Sequence, residues 1–175
     1  MELSAITVNA GAATVFALTG AGTATAGGSY SLTVTAKDAY GDTVTNYTGT
    51  VSFTSNDPSA VLPSSYTFVA EDGGVKTFSV IFATAGSRTV TASDGTRSGT
   101  SPAITVGAGA PSLANSVVTA SANSVASGTS ITLILTVKDS YGNITSGGLT
   151  NITLPIVTGK QIGRASCRER VCLYV

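Results

Sequence analysis

The sequence predicts an all-β fold, built as a sandwich of two antiparallel sheets. Three observations lead there. The chain is rich in Thr, Ser, Val, Ala and Gly, only 10% of its residues are charged, and it has neither Trp nor His. Thr and Val suit a pleated, half-buried backbone, and Gly supplies turns. Apolar and polar residues alternate over short runs, and no segment carries a sustained stripe at helical spacing. Finally, two motifs recur about a hundred residues apart, the usual size of one sandwich domain.

The two repeats set the organisation. AITVNAGA at 5–12 returns as AITVGAGA at 103–110, an offset of 98, and AKDAYGD at 36–42 returns as VKDSYGN at 137–143, an offset of 101. The AITV segments read as the last strand of a repeat, and the AGA or GAGAP that follows reads as the joint to the next. Met1–Asn9 is then the last strand of a preceding repeat. Ala10–Val106 is one complete domain, and Gly107–Gly159 is a truncated second copy. The glycines of the joint, Gly107–Pro111, predict bending there.

Within the complete domain the first candidate strand is Ala13–Leu18. In Ser29–Lys37, Tyr30, Leu32, Val34 and Ala36 share one face, and Ser29, Ser31, Thr33 and Thr35 share the other. The second copy repeats this with Ile131, Leu133, Leu135 and Val137. Further candidates are Thr50–Thr54 around Val51 and Phe53, then Tyr66–Val69, Val75–Phe82 and Arg88–Ala92. The turn signals DAYGD, SNDPS, EDGG, TAGS and SDGT fall between them. About seven short strands with polar outer faces fit a two-sheet sandwich better than a barrel or a parallel sheet. The expected inward set is Phe16, Leu32, Val34, Phe53, Phe68, Phe78, Val80, Phe82 and Val90. Each contributes roughly 1.5–3 kcal/mol when fully buried. The half copy lacks a closing sheet, while ordering costs about 1.5 kcal/mol per residue. Weak order in solution and aggregation-prone strand edges are therefore expected for Gly107–Gly159.

The repeated acidic motif, K-D-x-Y-G-[DN], reads as a structural turn made of Asp38, Tyr40 and Gly41, and again of Asp139, Tyr141 and Gly142. Asp38 and Tyr40 continue the inward parity of Tyr30–Ala36. A carboxylate at the rim of a core needs partners, and the nearest donors are the N–H groups of the turn that follows. Gly41 and Gly142 tolerate a positive φ. The tyrosine ring is expected to cover the end of the sandwich with its hydroxyl in water. The competing reading is calcium, held by Asp38 and Asp42 with Glu71–Asp72 from another loop. Calcium takes about six to eight oxygens, however, and the second copy has Asn143 in place of Asp42.

Composition excludes other classes. A formal net charge of zero argues against nucleic acid, and no apolar run is long enough to span a membrane. Without histidine there is no ordinary Ser or Cys triad. No G-x-S-x-G occurs, and nothing brings Asp38, Glu71 and Asp94 together for glycoside chemistry. The expectation is no enzyme and no cofactor. Tyr47 and Tyr66 are the candidates for stacking on sugars, and both read better as packing residues. Met1 is followed by Glu2 with no export signal, which predicts a cytoplasmic protein or an internal piece of a longer one.

The last sixteen residues, KQIGRASCRERVCLYV, hold four of the nine basic residues and both cysteines. IGRASCRER resembles a sequencing-adaptor sequence translated in frame, which makes Lys160–Val175 an artefact tail. The alternative, metal binding or a disulfide at Cys167 and Cys172, suffers from poor spacing and the lack of any other soft ligand.

Residues 10–106 resemble bacterial immunoglobulin-like repeats of large surface proteins, through TVTAKDAYGDTVTNYTGTVSF, YTFVAEDGGVKTFSV and TAGSRTVTASD. SVVTASANSVASGTSITLILTVKDSYGN resembles the opening of the invasin/intimin-type (Big-1) variant. The resemblance implies an immunoglobulin-like β-sandwich in a secreted or cell-surface multidomain chain, with the repeats serving as a stalk. The implied partners are neighbouring repeats of the same chain, and a host or cell-surface ligand bound through other domains. Two further readings are a carbohydrate-binding or accessory module of a secreted enzyme, and a decoration domain of a phage or appendage.

Overall fold

The computed structural model describes residues 9–154 except 124, 125, 127 and 128, with main chain alone over 146–154. Residues 1–8 of the expected leading strand lie outside the described residues, as do Lys160–Val175 with Cys167 and Cys172. The chain divides into two compact units, on either side of the Gly107–Ala108 bond.

In the first unit one layer is an antiparallel sheet of β1 (Val15–Thr19), β3 (Ser29–Lys37) and β6 (Val75–Ile81), with β3 in the centre. The other layer runs β5 (Tyr66–Thr67), β4 (Thr50–Ser55), β8 (Val90–Ser93) and β9 (Ser98–Thr100). A smaller sheet places β10 (Ile104–Gly107) between β2 (Thr23–Thr25) and β7 (Gly86–Arg88), parallel to the first and antiparallel to the second.

Strand parity decides what is buried. On β3, Tyr30, Leu32, Val34 and Ala36 turn inward, and the register sets Leu32 opposite Phe78, Tyr30 opposite Val80 and Phe16 opposite Ala36. Directly opposed residues in an antiparallel pair share a face, so these side chains form one apolar surface. Val51, Val90 and Ala92 of the facing layer and Ile104 and Val106 of β10 complete the core. The outer face of the β3–β6 pair carries cross-strand hydroxyl pairs, Ser29–Ser79 and Thr33–Thr77, each at 2.9 Å. Thus the same alternation supplies both the core and the hydrogen-bonded surface.

Seven of the nine expected core residues are buried. Phe53 and Phe78 are half-buried and stack edge to face at 4.7 Å. Among its described residues the first unit has ten strands, not about seven. The sequences of β2, β7 and β9 are TAT, GSR and SGT, too short and too polar for alternation to reveal them. Arg88–Ala92 divides between β7 and β8, and Tyr66–Val69 shrinks to β5 because Val69 leads into a 3-10 turn at Ala70–Asp72.

Among its described residues the second unit contains an antiparallel sheet of β11 (Pro111–Ala120), β12 (Ile131–Asp139) and β13 (Ile144–Leu154), with β12 in the centre. Ile131, Leu133, Leu135 and Val137 are half-buried, whereas their counterparts Leu32, Val34 and Ala36 are fully buried. β13 pairs along β12 on the side that β6 takes on β3 in the first unit. There the equivalent hairpin closes at the Lys37–Thr43 bridge and the chain crosses to the other layer. An unpartnered strand edge is costly, and in the second unit the hairpin's own continuation satisfies it.

Candidate functional site

The acidic motif comes at the end of the central strand of each unit. Asp38 is the first residue beyond β3 and is buried, with 4% of its surface exposed. Its Oδ1 accepts the main-chain N–H groups of Tyr40 and Asp42, each at 2.9 Å. The turn closes through Asp38 N–H to Asp42 O at 3.0 Å and Gly41 N–H to Asp38 O at 3.2 Å. Gly41 has a φ of 89°, in the region that favours glycine. Oδ2 points the other way and accepts the N–H of Gly11 at 2.8 Å.

The second copy is built the same way. Asp139 Oδ1 accepts from Tyr141 N–H at 2.9 Å and Asn143 N–H at 2.8 Å, and Oδ2 accepts from Gly109 N–H at 2.8 Å. Gly142 has a φ of 88°. Asn143, which replaces Asp42, adds a side-chain N–H to Asp139 Oδ2 at 2.8 Å. Gly11 and Gly109 belong to the other repeated motif. In each unit, therefore, the two repeated motifs meet in one hydrogen bond, and the sequence reading had kept them separate.

The tyrosines depart from expectation. Tyr40 is 92% exposed and Tyr141 52% exposed, so the Tyr40 ring does not cover the end of the sandwich. Inward parity ends at Asp38, where the backbone leaves the strand for the turn and points the next side chains into solvent. Asp42 contributes its main chain to the turn, and its side chain is exposed.

The charge on Asp38 is favoured. The Gly11 N–H is the largest influence holding its pKa below the ordinary carboxylate value, and the turn amides add to it against the effect of burial. At Asp139 burial pushes the value up, but the Asn143 side chain, Gly109 and the turn amides outweigh it. A carboxylate ringed by N–H donors presents little to a cation, because the positive ends of those dipoles already point at it. Among the described residues no group of three or more acidic, Cys or His side chains is placed to hold a metal.

Three further carboxylates have the same character. Asp57, 2% exposed, accepts from Ala83 N–H at 2.8 Å, Thr84 N–H and hydroxyl at 2.9 Å each, and Ser59 N–H at 3.2 Å. Asp72 binds Lys76 at 2.8 Å, Val69 N–H at 3.0 Å and the Tyr66 hydroxyl. Asp94 accepts from Thr96 and Arg97 N–H, from the Arg97 guanidinium at 2.9 Å and from the Tyr47 hydroxyl at 2.8 Å. Its pKa is lowered to about 2, although burial, the largest influence, works in the opposite direction. In the sequence, SNDPS and SDGT carry turn signals. The signal for more lay in their Asp-x-Ser and Asp-x-Thr spacing, which suits a carboxylate bonding its own backbone two residues on. Groups held ionised in this way cannot donate a proton near neutral pH.

The two tyrosines considered for sugar stacking are packing residues. Tyr47 is 8% exposed and meets Phe16 and Phe68 edge-on at 5.5 and 5.3 Å. Tyr66 is half-buried against Phe68 and Phe78, with the Lys76 ammonium 4.8 Å from its ring centre.

No family model matches the chain, and no curated protein does. Among solved structures it is similar to FdeC, an Escherichia coli adhesin, with a TM-score of 0.53 and 24% identity over 78% of this chain and 44% of that one. It is also similar to invasin, a bacterial integrin-binding protein, with a TM-score of 0.42 and 21% identity over 81% of this chain and 34% of that one. Domains 4–9 of the surface layer protein SbsC give a TM-score of 0.41 and 24% identity over 85% and 22% of the two chains. The chain spans less than half the length of each. The likeness to FdeC shows the fold, an immunoglobulin-like β-sandwich.

Proposed function

We propose that this chain is a structural stalk or spacer segment of a bacterial secreted or cell-surface adhesin-like protein, with repeats of the invasin/intimin (Big-1) type and no catalytic role. The observation that carries this reading is the twice-built acidic turn with the same bond to its joint. One architectural unit recurs within one chain, and the carboxylates of Asp38, Asp57, Asp94 and Asp139 accept hydrogen bonds from the unit's own backbone. In this reading Ala10–Val106 is the whole repeat, Gly107–Gly159 the beginning of the next, and residues 1–9 the end of one before. Lys160–Val175 does not belong to the protein. The partners are neighbouring repeats, and any host or cell-surface ligand is bound by other domains.

Resequencing the parent gene across the Gly159 codon tests this. The expected result is more repeats carrying K-D-x-Y-G-[DN], with an export signal and a surface anchor in the same gene. A gene that encodes a catalytic domain beside a single copy would favour an accessory module of a secreted enzyme. Tail or capsid genes as neighbours would favour a decoration domain.

A further inference from the structure

In each unit one oxygen of the central carboxylate accepts a hydrogen bond from outside the turn, although Asp139 Oδ2 also takes the Asn143 side chain. Asp38 Oδ1 alone closes the DAYGD turn, whereas Oδ2 reaches 27 residues back to the N–H of Gly11. Asp139 Oδ2 reaches 30 residues back to Gly109. A turn alone requires neither contact.

We propose that Asp38 and Asp139 are clamps on the joints, each fixing the peptide by which the chain enters its own repeat. A charge-assisted hydrogen bond is shorter and roughly twice as strong as a neutral one. In the first unit it is followed at once by Thr14 N–H to Lys37 O at 2.8 Å and by the β1–β3 ladder from Val15 onward. In the second, the β11–β12 ladder begins at Pro111 opposite Asp139 itself, and the Asn115 side chain binds the carbonyls of Asp139 and Ser140 at 2.9 Å each. At the other side of this joint, Gly107 O accepts the Ala26 N–H at 2.8 Å in the first unit. One residue, Ala108, separates the two anchors in sequence. The glycine-rich joint that composition marks as a bending point is thus pinned within the repeat that follows it, and the two motifs recur together because they form one device. The clamp stands whether or not the chain is part of a surface stalk.

The discriminating variant is Asp38→Asn in the full chain. Asparagine keeps one carbonyl oxygen for the Tyr40 and Asp42 amides but sets an NH2 group, which cannot accept, against the Gly11 N–H. Amide hydrogen exchange read by NMR should accelerate at Gly11 by about tenfold or more, with Tyr40 and Asp42 changing far less. Equal acceleration at all three, or none at Gly11, would overturn the clamp. If the variant does not fold, the unmutated chain gives the same answer in an acid titration. The Gly11 amide proton should move with the midpoint of the Asp38 carboxyl carbon, and a Gly11 amide that ignores that midpoint would overturn it equally.

Discussion

Tyr47 donates its hydroxyl proton to the Asp94 carboxylate across 2.8 Å and 47 residues of sequence. Its ring lies edge-on between Phe16 and Phe68, so one side chain ties the aromatic core to the SDGT loop. Tyr47→Phe keeps the ring contacts and removes the bond. It should lower stability by about 1–2 kcal/mol, measured by urea denaturation with an unchanged slope.

Stability should fall in acid. Asp38, Asp57, Asp72, Asp94 and Asp139 all have pKa values below their ordinary one in the folded chain. Such groups stabilise fully above the unfolded value, and the contribution disappears as pH falls through the folded value. For Asp94 that window runs from 3.8 down to about 2, corresponding to roughly 2 kcal/mol. The melting temperature should be flat from pH 8 to 5 and drop steadily below about pH 4. A rise in stability on acidification would contradict the hydrogen-bond assignments.

Leu32→Ala should cost about 2–5 kcal/mol, because Leu32 is fully buried in the centre of β3. Leu133, its counterpart 101 positions later, is half-buried, and Leu133→Ala should cost distinctly less. Denaturation of the two variants side by side checks the difference between the units.

Gly99 lies on β9 where that strand passes β1, and a Cβ there would be 1.8 Å from the Phe16 carbonyl oxygen. The obstacle is backbone and cannot swing away. Gly99→Ala should destabilise the first unit by about 3 kcal/mol or more, seen as a lower melting temperature.

These residues also show what the sequence made legible. The nine residues of β3 and their faces were readable, because alternation over that length leaves one solution. The acidic turn was readable because Asp, Gly and their spacing carry their own local chemistry. The joint clamp was not, since a bond from Asp38 to Gly11 depends on the β1–β3 register, which neither motif encodes alone. The Tyr47–Asp94 bond and the close pass of Gly99 over Phe16 are long-range in the same sense. Tyr40 departs from the expectation because inward parity does not extend through the turn beyond the end of β3.

Calcium should leave the melting temperature unchanged, because three main-chain N–H groups already occupy the Asp38 oxygens. A rise of several degrees with calcium would return Asp38 and Asp42 to the role of ligands.

The most direct measurement is single-molecule pulling of the chain from its two ends. A closed sandwich held by interstrand hydrogen bonds should give one discrete unfolding event for the first unit. It should release about 30 nm of contour length, as expected for the 97 residues of Ala10–Val106 at about 3.3–3.6 Å each less the folded span, with and without calcium. Gradual extension with no discrete event, or a force that depends on calcium, would contradict a mechanically closed repeat.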